Sequence, residues 1–211
     1  MAEKPLIVIG GGGHTAVLIG MLKRDQRAVQ GILTRDTTLV GESIHGVPVI
    51  GLEGESPLSA DAVQLVNGVG NVASRNGSGL EVRTAIYSRY HAEGFTFASV
   101  ISSQAIIQPD VLLGEGVQVM PGVVIQPGVM LGANCIVNTR ASLDHDVVIG
   151  PHSHIAPGAV LCGHVTVGER AHIGAGAVVI QQVRIGHDAV IGAGAIVTRD
   201  VGAGEVVLPK R

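Results

Sequence analysis

Residues 137–167 read VNTRAS LDHDVV IGPHSH IAPGAV LCGHVT V, and every block of six opens on an aliphatic side chain: Val137, Leu143, Ile149, Ile155, Leu161 and Val167. The series runs on in both directions without a break. It starts at Ile101, passes Ile107, Leu113, Val119, Ile125 and Leu131, and ends with Ile173, Val179, Ile185, Ile191 and Val197. A second series lies four residues further on and is small or β-branched, as at Val117, Val123, Cys135, Ala141, Val147, Ser153, Ala159 and Ala171.

A period of six matches neither a helix nor a simple alternating strand. It fits a short strand followed by a corner, repeated. The second-series residue and the next first-series residue are two apart, so both point to one side of an extended strand. Both are apolar, so that side is the interior. Corner residues fill the gaps: Pro121-Gly122, Pro127-Gly128, Gly132-Ala133-Asn134 and Gly174-Ala175-Gly176. Three such hexapeptide sides close one triangular coil, with room for five to six coils between Ile101 and Val201. With 2% aromatic residues and no Trp, the core of this prism is an aliphatic ladder.

Residues 1–99 lack the period and are expected to form a separate domain, with the solenoid spanning 100–211. Pro5 to Gly10 reads as a buried strand, and Gly10 to Thr15 opens a helix from Ala16 to Arg24. Strands are expected at Val29–Leu33 and Ala62–Val66, and a second helix between Gly79 and Gly94. The β-α-β-β-α order implies a Rossmann-like, parallel α/β half-domain. Gly11-x-Gly13-x-x-Ala16 is a variant of the glycine turn that brings backbone N–H groups to a phosphate at a helix N-terminus. Asp36 falls where an acid would meet a ribose or base. Gly54 to Ala60 and Asn71 to Gly79 read as surface loops.

Composition narrows the function. The net charge of −3 and the lack of a basic stripe argue against nucleic acid. The longest apolar runs fall far short of a membrane span. Met1 to Gly13 lacks a signal-peptide layout. A cytoplasmic protein is expected. Cys135 and Cys162 form no metal or redox motif, and Cys135 takes an inward slot.

His145 stands out among the nine histidines because Asp144 and Asp146 flank it. It lies at a corner, outside the core. A carboxylate beside an imidazole fixes its tautomer and supports its cation, which is what a general base needs. His154, nine residues on and at the end of the next hexapeptide, is expected to face outward between Ser153 and Ile155.

These features together resemble the left-handed β-helix hexapeptide acyltransferases. The Gly10–Thr15 turn, Gly68-Val69-Gly70-Asn71, Asn138-Thr139 and Asp144-His145-Asp146 are similar to one branch. That branch is the sialic-acid O-acetyltransferase family, which includes nucleotide-sugar N-acetyltransferases of the bacillosamine and perosamine type. The resemblance implies an acetyl-CoA-dependent N-acetyltransferase acting on a UDP- or GDP-linked 4-amino-4,6-dideoxy sugar. It implies His145 as base, oriented by Asp146, with His154 beside the thioester. It places coenzyme A along backbone near Gly163 and Gly174. It assigns the nucleotide to Gly12, Gly13, His14, Thr15 and Asp36, with Gly70 and Asn71 nearby. The nine-residue spacing of His145 and His154, half a coil, leads to the expectation of a homotrimer whose sites lie between chains, and no metal is expected. The chain departs from the family at its end, Val206 to Arg211, where a Gly-x-Pro-Ala-Lys element is usual.

Three rivals remain at this level. One is O-acetylation of a sialic acid or related sugar. Another is a non-catalytic nucleotide-binding scaffold. A zinc enzyme of the γ-carbonic anhydrase kind needs two histidines five positions apart. No pair among the nine histidines has that spacing, although His152-x-His154 is a metal-capable pair.

Overall fold

The computed structural model describes residues 4–54, 58–70 and 81–209. They divide into two compact units. The first holds residues 4–54, 58–70 and 85–100, and the second holds 81–84 and 101–209.

The solenoid unit is built from two-residue strands, stacked in parallel into three sheets of six, five and seven. Strands Val124–Ile125, Ser142–Leu143 and Val160–Leu161 lie on the first face. Met130–Leu131 and Val148–Ile149 belong to the second. Ile136–Val137, His154–Ile155 and His172–Ile173 belong to the third. Each strand pairs with the one three hexapeptides away, so Ile136 lies beside His154 and His154 beside His172. Both apolar series point inward. Val119, Ile125, Val137, Leu143, Ile155, Ala141, Ala159 and Ala177 are all fully buried. Cys135 is buried too, its thiol donates to the Gly150 carbonyl at 3.1 Å, and burial pushes its pKa up to about 12.

The corners follow one rule. From Leu113 to Ile191, the residue three after each inward aliphatic takes positive φ. Glycine holds it at 116, 122, 128, 158, 176 and 194. Asn134, Arg140, Asp146, His152, His164, Arg170, Gln182 and Asp188 hold it elsewhere, with φ between 54° and 65°. Asn and Asp tolerate this region, while the other side chains cost roughly 1–2 kcal/mol each there. The last coil is tighter. Val190 pairs with Val206 and Ile185 with Val201, in each case two positions short of a full coil. A strand at Val206–Val207, past the end of the sequence ladder, closes the seven-stranded sheet.

In the first unit, β1 (Leu6–Ile9) is followed by α1 (Gly13–Arg24), β2 (Val29–Thr34), β3 (Ser43–Ile44), β4 (Val47–Leu52), β5 (Gln64–Asn67) and the part of α2 (Glu81–Ala92) that starts at Ala85. Strand order is β3-β4-β2-β1-β5. The sheet packs Ile7, Ile9, Leu33 and Leu65 against Ile86, Tyr90, Phe95 and Phe97.

This corrects the sequence expectation of a Rossmann-like, wholly parallel half-domain. The unit is a small mixed sheet with two helices, because β3 runs antiparallel to β4. The cause is a two-residue hairpin at His45-Gly46, with φ of 48° and 71°. Two positive φ values in a row make the turn type that joins antiparallel strands. Strands β3 and β4 were both missed in the sequence, where Pro48 and Gly51 interrupt the apolar run. Helix α1 also starts three residues before the expected Ala16.

The small second-series residues Ala141, Ala159, Ala171 and Ala177 are fully buried. Ala159→Leu is expected to lower unfolding free energy by about 1–3 kcal/mol in urea titrations. Val160→Thr, on the outer side of the same strand, should stay within about 0.5 kcal/mol.

Candidate active site

His145 sits in the turn between first-face strand Ser142–Leu143 and second-face strand Val148–Ile149. Its side chain is about half exposed, at 52%. The backbone N–H of His145 donates to Asp144 Oδ1 at 2.8 Å. The ring Nδ1 lies 2.9 Å from Asp146 Oδ2. A carboxylate accepts, so Nδ1 carries the proton and Nε2 presents its lone pair. Among the described residues no hydrogen bond reaches Nε2. The hydrogen bond to Asp146 raises the imidazole pKa above 6.5, with Asp144 adding to it by charge.

The neighbouring coil shapes this arrangement. Gly163, one full coil on, lies under the ring. A Cβ there would be 2.6 Å from Nε2 and 2.7 Å from Cε1 of His145. Only glycine lets the ring lie in this place. His164, next to it, directs Nε2 to within 3.7 Å of Asp146 Oδ2. The His145 and His164 rings meet edge to face, 5.0 Å apart.

A second His–Asp pair provides an internal comparison. His187 Nδ1 lies 2.8 Å from Asp188 Oδ2, and Asp188 has the same φ of 58° as Asp146. The corner geometry therefore makes such pairs by itself. Their electrostatics differ. Arg170 clamps Asp188 with bonds of 2.7 and 2.8 Å and holds its pKa below the ordinary carboxylate value. Asp146 has no arginine or lysine ion pair among the described residues.

His154 is placed differently from the expectation. It occupies an outward position of a third-face strand, yet it is only 8% exposed. Its Nε2 is 3.1 Å from Asn138 Nδ2, which donates to it. Asn138 in turn takes the backbone N–H of Thr139 at 2.8 Å. The His172 ring stacks edge to face on His154 at 5.0 Å, and burial lowers the His172 pKa. His145 and His154 of one chain thus belong to different sides of the prism. Gly174 is explained by packing: a Cβ there would lie 2.5 Å from the Ile191 carbonyl oxygen.

In the first unit three turns converge at the carboxyl ends of β1, β2 and β5, where ligands settle in parallel sheets. Thr15 Oγ1 lies 2.8 Å from the Gly10 carbonyl oxygen and 3.1 Å from that of Gly68. This hydroxyl ties the two glycine turns together and is buried. Gly12 caps α1. Gly12 and Gly13 face open space, with no described atom within 4 Å of a Cβ at either position. His14 packs beside Gly70, and Leu39 and Thr34 pack against Gly11. Asp36 is exposed and caps the short turn Thr37–Leu39, accepting from Thr38 N at 2.9 Å and Thr38 Oγ1 at 2.6 Å. These bonds hold its pKa below the usual value. Asn71 and the expected loop from Asn71 to Gly79 lie outside the described residues, as does part of the loop from Gly54 to Ala60.

Three features of these sites escaped the sequence reading: His164, His172 and the partnership of Asn138 with His154. The register of one full coil was the signal for the first two, since it stacks His164 on Asp146 and His172 on His154.

Residues 104–145, 146–181 and 164–199 match the bacterial transferase hexapeptide (six repeats) family. The acetyltransferase domain of PglB from Neisseria gonorrhoeae FA1090 superposes with a TM-score of 0.87 at 34% identity, covering 98% of this chain and 97% of that one. The chain belongs to the hexapeptide-repeat acetyltransferases of the left-handed β-helix fold. PerB from Caulobacter crescentus, in complex with CoA and GDP-perosamine, gives 0.84 at 34% identity, covering 98% and 95%. WeeI from Acinetobacter baumannii AYE gives 0.82 at 26%, covering 97% and 96%. Comparison with curated protein sequences gives no match. The resemblance read from the sequence is borne out, and the protein is an acyltransferase. Among the described residues no helix is long and apolar enough to cross a membrane.

The His145–Asp146 pair makes a direct test possible. Titrated by NMR of ring carbons, the wild-type His145 should show a midpoint above 6.5. Asp146→Asn removes the main cause of that shift, so its midpoint should fall. An unchanged midpoint would mean that Asp146 does not hold the ring.

Proposed function

We propose that the protein transfers the acetyl group of acetyl-CoA to the amine of a UDP- or GDP-linked 4-amino-4,6-dideoxy sugar. The observation that carries this reading is the His145 ring, with Nδ1 bonded to Asp146 and Nε2 available to accept a proton. The likeness to acetyltransferases crystallised with acetyl coenzyme A, and with CoA and GDP-perosamine, supports the substrate class.

An amine attacks only when it has lost its extra proton. His145 Nε2 takes that proton as nitrogen attacks the thioester carbonyl. The imidazolium that forms is stabilised by Asp146. The thioester oxygen gains charge and is stabilised by His154 or a backbone N–H. Coenzyme A leaves as thiol after receiving a proton. The transfer is direct and needs no metal. Cys135 is sealed in the interior, so it forms no acyl-enzyme.

In this reading residues 1–99 hold the nucleotide and residues 100–211 carry the chemistry. The phosphates meet the backbone N–H groups at Gly12, Gly13, His14 and Thr15, at the positive end of α1. No described atom lies within 4 Å of a Cβ at Gly12 or Gly13, which leaves room for this approach. Asp36, Gly70 and Asn71 complete the substrate site. Coenzyme A runs past Gly163 and Gly174. The reaction belongs to the cytoplasm, where acetyl-CoA is made.

A further consequence concerns assembly. His145 and His154 are half a coil apart along the chain. One side of the prism spans roughly 15–20 Å at ~3.3 Å per residue. If both rings serve one site, they come from neighbouring chains. A cyclic homotrimer with three equivalent sites between prisms meets this requirement.

Two experiments test the reading. A panel of UDP- and GDP-linked amino sugars, CMP-sialic acid and free sialic acid is incubated with acetyl-CoA, with products identified by mass spectrometry. N-acetylation of a nucleotide-linked 4-amino sugar is expected, with kcat/KM falling about 10²–10⁴-fold in His145→Ala. O-acetylation of sialic acid, or no transfer at all, would overturn it. Because the His145 pKa is raised, wild-type activity should fall with decreasing pH from above 6.5. In the second experiment, His145→Ala and His154→Ala chains are denatured together and refolded. Mixed trimers should regain activity that neither parent has. No regain would remove the shared-site assembly.

A further inference from the structure

The corner that carries His145 has a property the transfer reaction does not use. His164 stands one coil from Asp146 and shares its carboxylate with His145. The three ligand atoms that His145, Asp146 and His164 offer all lie within 4.8 Å of one another. His145 Nδ1 is 2.9 Å and His164 Nε2 is 3.7 Å from Asp146 Oδ2. Two nitrogens and one oxygen bound to zinc at about 2.0–2.1 Å in tetrahedral geometry would lie about 3.3–3.4 Å apart. The two observed spacings fall on either side of that value. The third spacing, between the two histidines, is at most 4.8 Å, and rotations of these exposed side chains bring all three onto one ion.

We propose that His145, Asp146 and His164 form a binding site for a zinc-like divalent cation, and that occupation of this site switches the base off. The chemistry of the donors favours zinc over magnesium or calcium, since two are imidazoles and one is a carboxylate. The side chains are 52%, 52% and 56% exposed. A hydrated ion reaches them without any opening of the fold, and water fills the fourth position. No arginine or lysine among the described residues pairs with Asp146 to compete with the cation. The His187–Asp188 pair at another corner lacks this property, because Arg170 already occupies Asp188.

Silencing follows from proton bookkeeping. As a base, neutral His145 keeps its one proton on Nδ1 and accepts another on Nε2. A cation bound to Nδ1 takes that lone pair. The neutral ring's proton then resides on Nε2, where the amine proton would have to go. The ring stays uncharged overall, no proton need be gained or lost, and the acceptor is filled. Asp146 exchanges its hydrogen bond to the ring for a bond to the metal. His164 contributes Nε2 and keeps its proton on Nδ1.

The silencing rests on the proposed role of His145, whereas the binding does not. The test therefore begins with metal alone. Tag-free, metal-stripped protein is titrated with Co²⁺, followed by visible absorption, and with Zn²⁺, by calorimetry against a chelator of known affinity. One ion per chain is expected, with the absorption of a four-coordinate site. His164→Asn should weaken binding by at least about tenfold. Asparagine suits the left-handed backbone at this corner, so the variant keeps the fold. Zn²⁺ should inhibit wild-type acetyl transfer in step with site occupancy. Whatever transfer His164→Asn retains should be insensitive to Zn²⁺ at concentrations that silence the wild type. The absence of saturable binding in the wild type, or equal affinity in His164→Asn, would overturn the site. Binding without inhibition would overturn the silencing and leave the site. A protein that binds the ion but transfers no acetyl group would instead count against the proposed function alone.

Discussion

The structure depends on one constraint: parallel coils must stack so that each two-residue strand meets its partner one full coil away. The backbone bonds between coils, such as Asp144 N to Leu161 O at 2.9 Å and His164 N to His145 O at 3.0 Å, are satisfied only in that register. A slip of one residue would turn Leu143 outward and Ser142 inward. The apolar ladder inside forbids it. Every outward side chain therefore acquires fixed neighbours in the coils on either side.

That register builds the site. His145 reaches its place because Gly163 stands under it, and a Cβ at 2.6 Å from the ring would push it away. Asp146 accepts from the ring because the third corner position is left-handed. The same backbone produces the His187–Asp188 pair, so a His-Asp dipeptide at a corner is a by-product of the fold. What separates the two pairs is the cation. Arg170 occupies Asp188, whereas Asp146 remains available to an imidazole. The difference arises one coil away, in the residue stacked on each aspartate: His164 on Asp146, and Arg170 on Asp188.

The same logic explains what could be read from the sequence. The six-residue ladder has one period and an unbroken phase, so the solenoid, the inward Cys135 and the outward His145 were all legible. Burial of His154 was not. Periodicity tells which way a side chain points from its own strand, not what covers it. The last coil is shorter than the others, a change of spacing that the ladder alone could not reveal. In the first unit, the decision for a mixed sheet lies in two residues, His45 and Gly46. A histidine with positive φ leaves no mark in hydropathy, and Pro48 reads as a strand breaker, although it sits at an edge pairing with Ser43. The glycine turn was found, but its spacing could not tell which glycines serve packing.

Structure separates them by what a methyl group would meet. At Gly10 it would strike Val69, at Gly11 the side chains of Leu39 and Thr34, and at Gly68 the hydroxyl of Thr15. These glycines are required by the close crossing of turns, and Thr15 bonds that crossing from within. At Gly12 and Gly13 it would meet nothing within 4 Å among the described residues, and φ at Gly12 is an ordinary −92°. Neither packing nor backbone strain accounts for glycine there. Both stand at the start of α1, where a helix's first main-chain N–H groups have no partner within the helix. In the proposed function an approach from outside accounts for them. A ligand whose phosphates must come within hydrogen-bond reach of the main chain is the case in which a missing side chain matters. On that proposal the fingerprint at the start of this chain is two features in one run: glycines that let the turns cross, and glycines that keep the space before the helix clear for a phosphate.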